Sequence, residues 1–271
     1  MKRPFGQNFL FDTNIIRKII KCSGLSPDDT VVEIGPGLGT MTKLLSDNAK
    51  EVIAIEFDKK LIDRLKENLS EKENVKVVRA DALKFPFDTI KKKFRVVANI
   101  PYNITTPILF RLLEHRDRMR SMTLLMQKEV ARRIIARPGG KDYGVLSISL
   151  QLYTKPALKF TVSRKVFSPP PDVDSAVVRF EVSPGPLFKV SDEGLFLKVV
   201  KTAFSQRRKR VSNSLKSFDG IGDALRKAGV DPGERSENLG IEDFARITDE
   251  LKRIEGRRRL QEEEIKFPYD L

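Results

Sequence analysis

A carboxamide, a proline and an aromatic ring follow a short apolar run in the middle of the chain, in the sequence Asn99-Ile100-Pro101-Tyr102. Residues 94–98, which are apolar except for Arg95, predict a buried strand, so this motif would lie at the carboxyl end of that strand. There the amide of Asn99 and the ring of Tyr102 would form a small polar pocket with a flat wall. Such a pocket suits a planar ring that carries an exocyclic amine. An ordinary turn is the alternative interpretation of the same residues.

A second cluster of chemistry-bearing residues follows the first predicted strand, residues 30–34. This strand leads into the turn Gly35-Pro36-Gly37-Leu38-Gly39, and a helix is predicted after it. Glycine lets a ligand approach the backbone where a Cβ would collide. The spacing is G-x-G-x-G rather than the G-x-G-x-x-G of dinucleotide-binding proteins, and it is typical of S-adenosylmethionine enzymes. A structural tight turn remains the alternative.

Acidic residues end the next two predicted strands. Glu56 follows residues 52–55 and lies about 20 residues after the glycine turn, where a carboxylate can bind both hydroxyls of a ribose. Asp81 follows residues 75–78 and could accept a hydrogen bond from an adenine amino group. Either residue alone could be a solvated loop charge. Together, behind a glycine turn, they favour a nucleoside ligand.

The order of strands and helices explains how these side chains could meet. Strands alternate with amphipathic helices up to a closing strand at residues 175–182, which predicts an α/β fold with a mostly parallel, Rossmann-like sheet and helices on both faces. The binding crevice of such a sheet lies at the carboxyl ends of its strands. The residues predicted to lie there are Gly35, Glu56, Asp81 and Asn99.

The chain is predicted to change character at Ser183-Pro184-Gly185-Pro186, because only helical apolar stripes follow. We therefore predict a catalytic domain at residues 1–183, which includes an amino-terminal arm at residues 1–11. A small all-helical domain would follow at residues 184–255. A charged tail at residues 256–271 would be a frayed helix or disordered.

The composition points to a polyanionic partner. The 271 residues carry a net charge of +14, which favours nucleic acid or an acidic membrane surface, with a generic basic protein as the alternative. The run Arg207-Arg208-Lys209-Arg210 is either a phosphate contact or a solvated face. With one histidine and one cysteine, a histidine-based triad, a zinc site and an internal disulfide are not expected. Without a long apolar span or a signal-peptide pattern, we expect a cytoplasmic protein with no membrane partner.

These motifs together resemble the small-subunit ribosomal RNA adenine dimethyltransferase family, over residues 6 to about 251. The motifs that carry the resemblance are Gly6-Gln7-Asn8-Phe9-Leu10, Glu33-Ile34-Gly35-Pro36-Gly37-Leu38-Gly39, Asn99-Ile100-Pro101-Tyr102-Asn103-Ile104, Val166-Phe167-Ser168-Pro169-Pro170-Pro171 and Asp174-Ser175-Ala176-Val177-Val178. Members of this family methylate N6 of two neighbouring adenosines near the 3′ end of small-subunit RNA during ribosome assembly. The resemblance therefore implies this activity, with S-adenosylmethionine as methyl donor and the immature small subunit as partner; we expect a monomer.

The resemblance also implies roles for individual residues. The S-adenosylmethionine site would be lined by Asn8, Leu10, Gly35, Glu56, Asp81 and Asn99. The catalytic motif would be Asn99, Ile100, Pro101 and Tyr102, and Phe167, presented by the triple-proline turn, would stack on the target base.

Three other functions remain open from the sequence. Relatives that methylate large-subunit RNA and confer macrolide resistance share the fold and the Asn-Ile-Pro-Tyr motif. The chain could also act mainly as an RNA-binding assembly factor, or methylate a small-molecule amine. The charge of +14 argues against the last of these.

Overall fold

The computed structural model describes residues 8–266, with side chains described up to residue 257. Residues 1–7 of the predicted arm, including Gly6 and Gln7, and residues 267–271 of the predicted tail lie outside this part. The chain forms two compact units. The first comprises Met1–Ile135 and Tyr153–Gly185, and the second comprises Ala136–Leu152 and Pro186–Leu271.

Nine strands and five helices form the described part of the first unit. The strands are β1 (Phe9–Leu10), β2 (Thr30–Ile34), β3 (Glu51–Glu56), β4 (Val75–Arg79), β5 (Phe94–Asn99), β6 (Met119–Gln127), β7 (Thr154–Val162), β8 (Phe167–Ser168) and β9 (Ser175–Val182). The helices are α1 (Thr13–Ser23), α2 (Thr40–Ser46), α3 (Lys59–Asn68), α4 (Thr105–Glu114) and α5 (Lys128–Ile135). Short 3₁₀ helices connect several of these elements.

Seven of the strands form one sheet in the order β4-β3-β2-β5-β6-β9-β7. The pairs from β4 to β6 are parallel, whereas β9 runs antiparallel to both β6 and β7. All five residues of β2 are buried, as expected for a central parallel strand that is covered on both faces. The predicted α/β class with a mostly parallel sheet is confirmed.

The helices form where the sequence provides both an apolar stripe and a cap. The Asp12 carboxylate accepts hydrogen bonds from the backbone N–H groups of Asn14 and Ile15 at 2.9 and 3.2 Å, which caps α1. Ile16 and Ile19 of α1 then pack in one core cluster with Val31 and Leu45. Burial of this face holds α1 and α2 against the sheet.

We did not predict β7, the edge strand of the sheet, from the sequence. Its sequence contains Pro156 and two lysines, Lys155 and Lys159, and its pairing with β9 shifts register between Leu158 and Phe160. Proline, lysine and bulges are the devices that keep exposed strand edges from pairing with other chains. The same devices interrupt the apolar alternation by which a strand is found.

The second unit is helical, with α6 (Val145–Gln151), α7 (Glu193–Ser205), α8 (Val211–Ser214), α9 (Ile221–Lys227) and α10 (Ile241–Lys266). Its core includes Phe196, Val199, Leu225, Phe244 and Ile247, all from the predicted apolar stripes. The backbone of residues 256–266, which we placed in the tail, continues α10. None of the described helices combines the length and apolar character that crossing a membrane requires.

The second unit also contains residues 136–152, which the predicted domain of residues 1–183 includes. Two contacts explain this difference. Tyr143 packs edge-on against Phe204 of α7, with ring centroids 6.1 Å apart, and the N–H of Gly139 donates to the Glu237 carbonyl at 2.8 Å. Contacts so distant in sequence leave no local pattern.

A buried ion pair joins the residue before β2 to β5, at the end of the sheet opposite to the predicted crevice. The Asp29 carboxylate accepts a hydrogen bond from Arg95 Nε at 2.7 Å and another from the N–H of Ser26 at 2.8 Å. The side chains of Asp29 and Arg95 are 3% and 16% exposed. Since a desolvated charge that loses its partner is unfavourable, this pair is a sensitive point of the fold.

We expect Asp29→Ala to lower the free energy of unfolding by roughly 3 kcal/mol, because it leaves the Arg95 guanidinium buried without its carboxylate partner. Urea denaturation monitored by circular dichroism measures this change. Asp28→Ala, at the exposed neighbouring position, is the matched control, and its effect should stay within about 0.5 kcal/mol. Equal effects of the two substitutions would contradict the role of the ion pair.

Candidate active site

Two adjoining cavities open where β2, β3, β4 and β5 end. The first is lined by residues of β1, the glycine turn and the Asn99 motif, and the second by residues that follow β3 and β4. Gly35, Glu56 and Pro101 line both cavities. The structure places Asn8, Leu10 and Asn99 at the first cavity and Asp81 at the second. All six residues that the resemblance assigned to the methyl donor thus line this paired cavity.

The glycine turn has a backbone that residues with a side chain rarely adopt. Gly35 and Gly37 have φ angles of +70° and +60°. A Cβ on Gly37 would lie 2.6 Å from the Phe9 ring, so the space above this residue is already filled by β1. The turn is therefore tightly constrained, and its backbone forms one wall of the first cavity.

Glu56 is held in place by the backbone on both sides of it. Its two carboxylate oxygens accept hydrogen bonds from the N–H groups of Gly37, at 3.1 Å, and Asp58, at 2.8 Å. Burial raises the pKa of Glu56, and these hydrogen bonds oppose that rise. Each oxygen retains a further lone pair, so the carboxylate can still accept from the two hydroxyls of a ribose.

Asp81 has a similar arrangement at the second cavity. One of its carboxylate oxygens, Oδ1, accepts a hydrogen bond from the N–H of Leu83 at 2.9 Å. This contact fixes the side chain beside the loop that follows β4. The other oxygen is a suitable acceptor for an exocyclic amine of a purine.

Glu33 is a site residue that the sequence analysis did not single out. It lines the first cavity from within β2, its residue is 1% exposed, and its Oε2 has no hydrogen-bond partner among the described residues. Burial raises the pKa of Glu33 to about 8, and the nearby charge of Glu56 adds to this rise. The signal for Glu33 was present in the sequence, because a carboxylate interrupts an otherwise apolar central strand.

An unpartnered acidic oxygen beside a glycine cradle is the feature that a ligand with a donor group would complete. Polar groups buried in proteins are nearly always hydrogen-bonded, so an exception in a cavity points to a missing partner. S-adenosylmethionine provides a ribose, an adenine amine and an ammonium group as donors. The residues present therefore fit this methyl donor.

The amide of Asn99 is oriented by the chain segment that precedes α1. Its Nδ2 donates a hydrogen bond to the Asn8 carbonyl at 3.0 Å. A carbonyl oxygen can only accept, so the amide nitrogen must face Asn8 and Oδ1 must lie on the opposite side of the amide. The side chain thus presents an acceptor.

The backbone carbonyl of Pro101, in the same motif, already accepts two hydrogen bonds. The Pro101 carbonyl accepts hydrogen bonds from the Ile104 N–H at 3.1 Å and from the Thr105 hydroxyl at 3.3 Å. Both of its lone pairs are therefore in use. If a backbone carbonyl of this motif is to accept a hydrogen bond from a substrate amine, this geometry favours Ile100 over Pro101.

Tyr102 forms a wall of the first cavity. Its hydroxyl lies 2.5 Å from the Ser175 hydroxyl, which ties the ring to the start of β9. Burial raises the pKa of Tyr102, so the phenol remains neutral. The anchored ring offers a flat apolar surface beside the Asn99 amide.

Phe167, to which we gave the role of stacking on the target base, lies elsewhere in this structure. It belongs to β8, which pairs with β1, and its side chain is 2% exposed in a cluster that includes Leu10 and Val177. It lines neither cavity. The stacking role is not supported in this conformation, because the pairing of β1 with β8 turns Phe167 into the core.

The basic run also divides into two parts. Arg207 forms an ion pair with Glu237, with an Nε–Oε2 distance of 2.8 Å, and donates to the Gly140 carbonyl at 3.1 Å. The Arg207 side chain therefore joins two segments of the second unit. The structure does not show it free to contact a phosphate. Arg208, Lys209 and Arg210 are exposed.

The fold and the cavity define a class of protein. A mostly parallel sheet, a glycine turn, two acidic residues at strand ends and an oriented Asn-Ile-Pro-Tyr motif belong to a Rossmann-like methyltransferase. Among the described residues, no group of three or more histidine, cysteine, aspartate or glutamate side chains could hold a metal ion.

Comparison with known proteins identifies the family. The model of the family described as ribosomal RNA adenine dimethylase matches residues 1–253, and the chain belongs to this family. The chain is 47% identical to the Ribosomal RNA small subunit methyltransferase A of Moorella thermoacetica, over 93% of this chain and 92% of that protein. It is 44% identical to the protein of the same name from Pelotomaculum thermopropionicum, over 92% and 90%. The chain is therefore an rRNA adenine dimethyltransferase.

Two solved structures share the fold over nearly the whole chain. The 23S rRNA methyltransferase ErmE has a TM-score of 0.72 and 32% identity, covering 90% of this chain and 100% of that one. A dimethyladenosine transferase from Plasmodium falciparum has a TM-score of 0.78 and 29% identity, covering 90% and 98%.

The buried state of Glu33 predicts a pH-dependent effect on stability. The folded protein keeps the Glu33 proton up to a pKa of about 8, whereas the unfolded chain loses it near the ordinary value of 4.5. Its contribution to stability is therefore complete below pH 4.5 and is lost as the pH rises towards 8. Glutamine does not ionise, so Glu33→Gln should become more stable relative to the unsubstituted protein, by roughly 1–3 kcal/mol, between pH 5 and pH 8.

Urea denaturation of the ligand-free protein at pH 5, 6.5 and 8 measures this difference. Glu71→Gln, at an exposed position, controls for the removal of a carboxyl group elsewhere. A stability difference for Glu33→Gln that is constant across this range would show that the buried carboxyl is ionised throughout.

Proposed function

We propose that this enzyme transfers methyl groups from S-adenosylmethionine to N6 of two adjacent adenosines in the 3′-terminal hairpin of small-subunit ribosomal RNA, during small-subunit biogenesis. The observation that carries the chemistry is the Asn99 amide, oriented by the Asn8 carbonyl at 3.0 Å. The relatives named small subunit methyltransferase A, at 44% and 47% identity, support the small-subunit target. We also propose that it acts in the cytoplasm as a monomer.

The paired cavity would hold the methyl donor in an extended form. Asp81 would accept from the adenine amine, Glu56 from the ribose hydroxyls, and Gly35 with Asn8 and Leu10 would enclose the methionine portion. When bound, S-adenosylmethionine supplies an electrophilic methyl group on a sulfonium sulfur. The protein's remaining task is to place a nucleophile in line with that methyl group.

The amine of adenine is a weak nucleophile, because its lone pair is delocalised into the ring. Asn99 Oδ1 and the Ile100 carbonyl would accept its two N–H bonds, which directs the lone pair towards the methyl group. Correct placement of this kind can supply a large part of the rate. No strong base is required, because the methylated ammonium is acidic enough to lose its proton to water.

The target base must leave its stack before it reaches this position. Tyr102 would hold the base by face contact, and stacking of this kind contributes about 1–3 kcal/mol per base. The hydrogen bond of Tyr102 to Ser175 keeps the ring in place while the base is absent. A second methylation requires only that the amine rotate with one methyl group attached.

One experiment tests the function as a whole. The protein is incubated with labelled S-adenosylmethionine and either unmodified small subunits or large-subunit RNA, and the modified bases are then mapped. We expect label on N6 of two adjacent adenosines in small subunits. Label confined to large-subunit RNA would overturn the proposed target.

We expect Asn99→Ala to abolish methyl transfer while the affinity for S-adenosylmethionine stays within about tenfold, or roughly 1.4 kcal/mol. The reason is that the amide positions the substrate amine, whereas the donor has many other contacts. Single-turnover transfer and isothermal titration calorimetry measure the two effects. Asn14→Ala, at an exposed site on α1, is the matched control and should retain transfer. Near-normal turnover of Asn99→Ala would refute the role of this residue.

We also propose that Arg208, Lys209 and Arg210 contact RNA phosphates. Replacing all three by alanine should weaken binding to unmodified small-subunit RNA and reduce the slope of log affinity against log salt by about 2–3. Arg207→Ala provides the contrast, because its partners are Glu237 and Gly140. It should lower thermal stability and leave the salt slope unchanged. If the triple variant keeps the full slope, these residues do not contact phosphate.

A further inference from the structure

Among the described residues that line the first cavity, two have carboxyl side chains and none is basic. Glu33 and Glu56 contribute the acids, and the other described lining residues are neutral. The two acids differ in their environment. Glu56 accepts two backbone hydrogen bonds, whereas Glu33 Oε2 is buried without any partner in the described part of the chain. The cavity therefore contains one satisfied carboxylate and one carboxyl group that lacks a counterpart.

This arrangement suits an occupant with more than one positive group. A lone buried carboxylate beside another is unfavourable, and the usual response is that one of the pair retains a proton. A cation that enters the cavity changes this balance, because it favours the ionised form of any carboxyl group that it contacts. The donor in the proposed function carries two such groups, a sulfonium and the ammonium of its methionine portion.

We infer that Glu33 stays protonated in the ligand-free enzyme and gives up its proton when it receives the ammonium group of the methyl donor. The O–H bond of the carboxylic acid breaks, the proton passes to solvent, and an ion pair forms with no covalent change in the ligand. This inference rests on the proposed function, since it takes S-adenosylmethionine as the donor. It makes Glu33 a binding residue that senses the charged end of that molecule.

The charged groups around Glu33 are consistent with a protonated carboxyl group in the ligand-free enzyme. Glu56 on β3 raises the pKa of Glu33, and the Thr42 hydroxyl on α2 lowers it, while burial is the largest cause of the rise to about 8. Other charged groups on the neighbouring elements lie elsewhere. Glu51 and Arg95 are at the opposite ends of β3 and β5, and Lys43 of α2 is exposed.

Binding of the donor should release a countable number of protons. With a pKa of about 8, Glu33 holds its proton in most molecules at pH 7. Donor binding near pH 7 should therefore release roughly 0.9 protons, and affinity should rise by close to tenfold per pH unit between pH 6 and 7. Above pH 8 or so the donor's own amine loses its charge, so affinity should fall again.

Isothermal titration calorimetry of the full chain at pH 7, in phosphate and in Tris buffer, counts the released protons. Three ligands separate the possible sources: S-adenosylmethionine, S-adenosylhomocysteine and 5′-methylthioadenosine, which lacks the ammonium group. The first two should release roughly 0.9 protons, and the third close to none. For Glu33→Gln, we expect no release, at least tenfold weaker binding of the first two ligands, and binding of 5′-methylthioadenosine within twofold. Glu51→Gln, on the far end of β3, is the control and should behave as the unsubstituted chain does.

The outcomes distinguish this inference from the function on which it rests. If S-adenosylmethionine binds without proton release, or if Glu33→Gln releases the same number of protons, the inference is wrong and the proposed function stands. Equal release by 5′-methylthioadenosine would also overturn it, since that ligand has no ammonium to pair with Glu33. If S-adenosylmethionine does not bind at all, the proposed function itself fails.

Discussion

A single hydrogen bond, from the Asn99 amide to the Asn8 carbonyl, is the constraint on which the site depends. It decides which way the amide faces and therefore which atom is left for a substrate. It also ties the segment before α1 to the end of β5. Because that segment pairs with β8 and places Phe9 against Gly37, the same few residues cover the first cavity and set the direction of the Asn99 amide. The contacts that cover the first cavity therefore also orient the Asn99 amide.

The buried carboxyl group of Glu33 in the cavity lowers the stability of the fold. A neutral side chain of similar shape at position 33 would pack into β2 with a smaller desolvation penalty than the glutamate does. Departures of this kind, where a central strand contains a buried acid without a partner, are expected where a sequence serves binding as well as folding. The ion pair of Asp29 and Arg95 at the other end of the sheet shows the alternative, in which buried charges are fully paired. One end of the sheet therefore contains an unpaired acid suited to binding, and the other end contains a fully paired ion pair.

Much of this architecture could be predicted from local pattern. The strands that end at Ile34, Glu56 and Asn99 are mostly apolar runs followed by turn residues, and both signals are local in sequence. What could not be predicted depends on contacts between distant segments. Phe167 is turned into the core by its pairing with β1, and the Pro101 carbonyl is filled by the turn that follows it. Glu33 could have been found from the sequence, because an acid within a buried strand is an anomaly in itself.

The comparisons add a constraint on where target choice resides. A 23S rRNA methyltransferase and a dimethyladenosine transferase both share this fold over nine-tenths of the chain, with TM-scores of 0.72 and 0.78. A fold shared with a protein named for 23S rRNA does not by itself decide which RNA this chain modifies. In the proposed function, an amide, a carbonyl and a ring would recognise a flipped adenine, and every adenine presents the same groups. Selection must come from contacts outside the cavity, and phosphate contacts alone position an RNA without reading its sequence. Contacts that read the shape of the RNA around the flipped base are one way to make that selection.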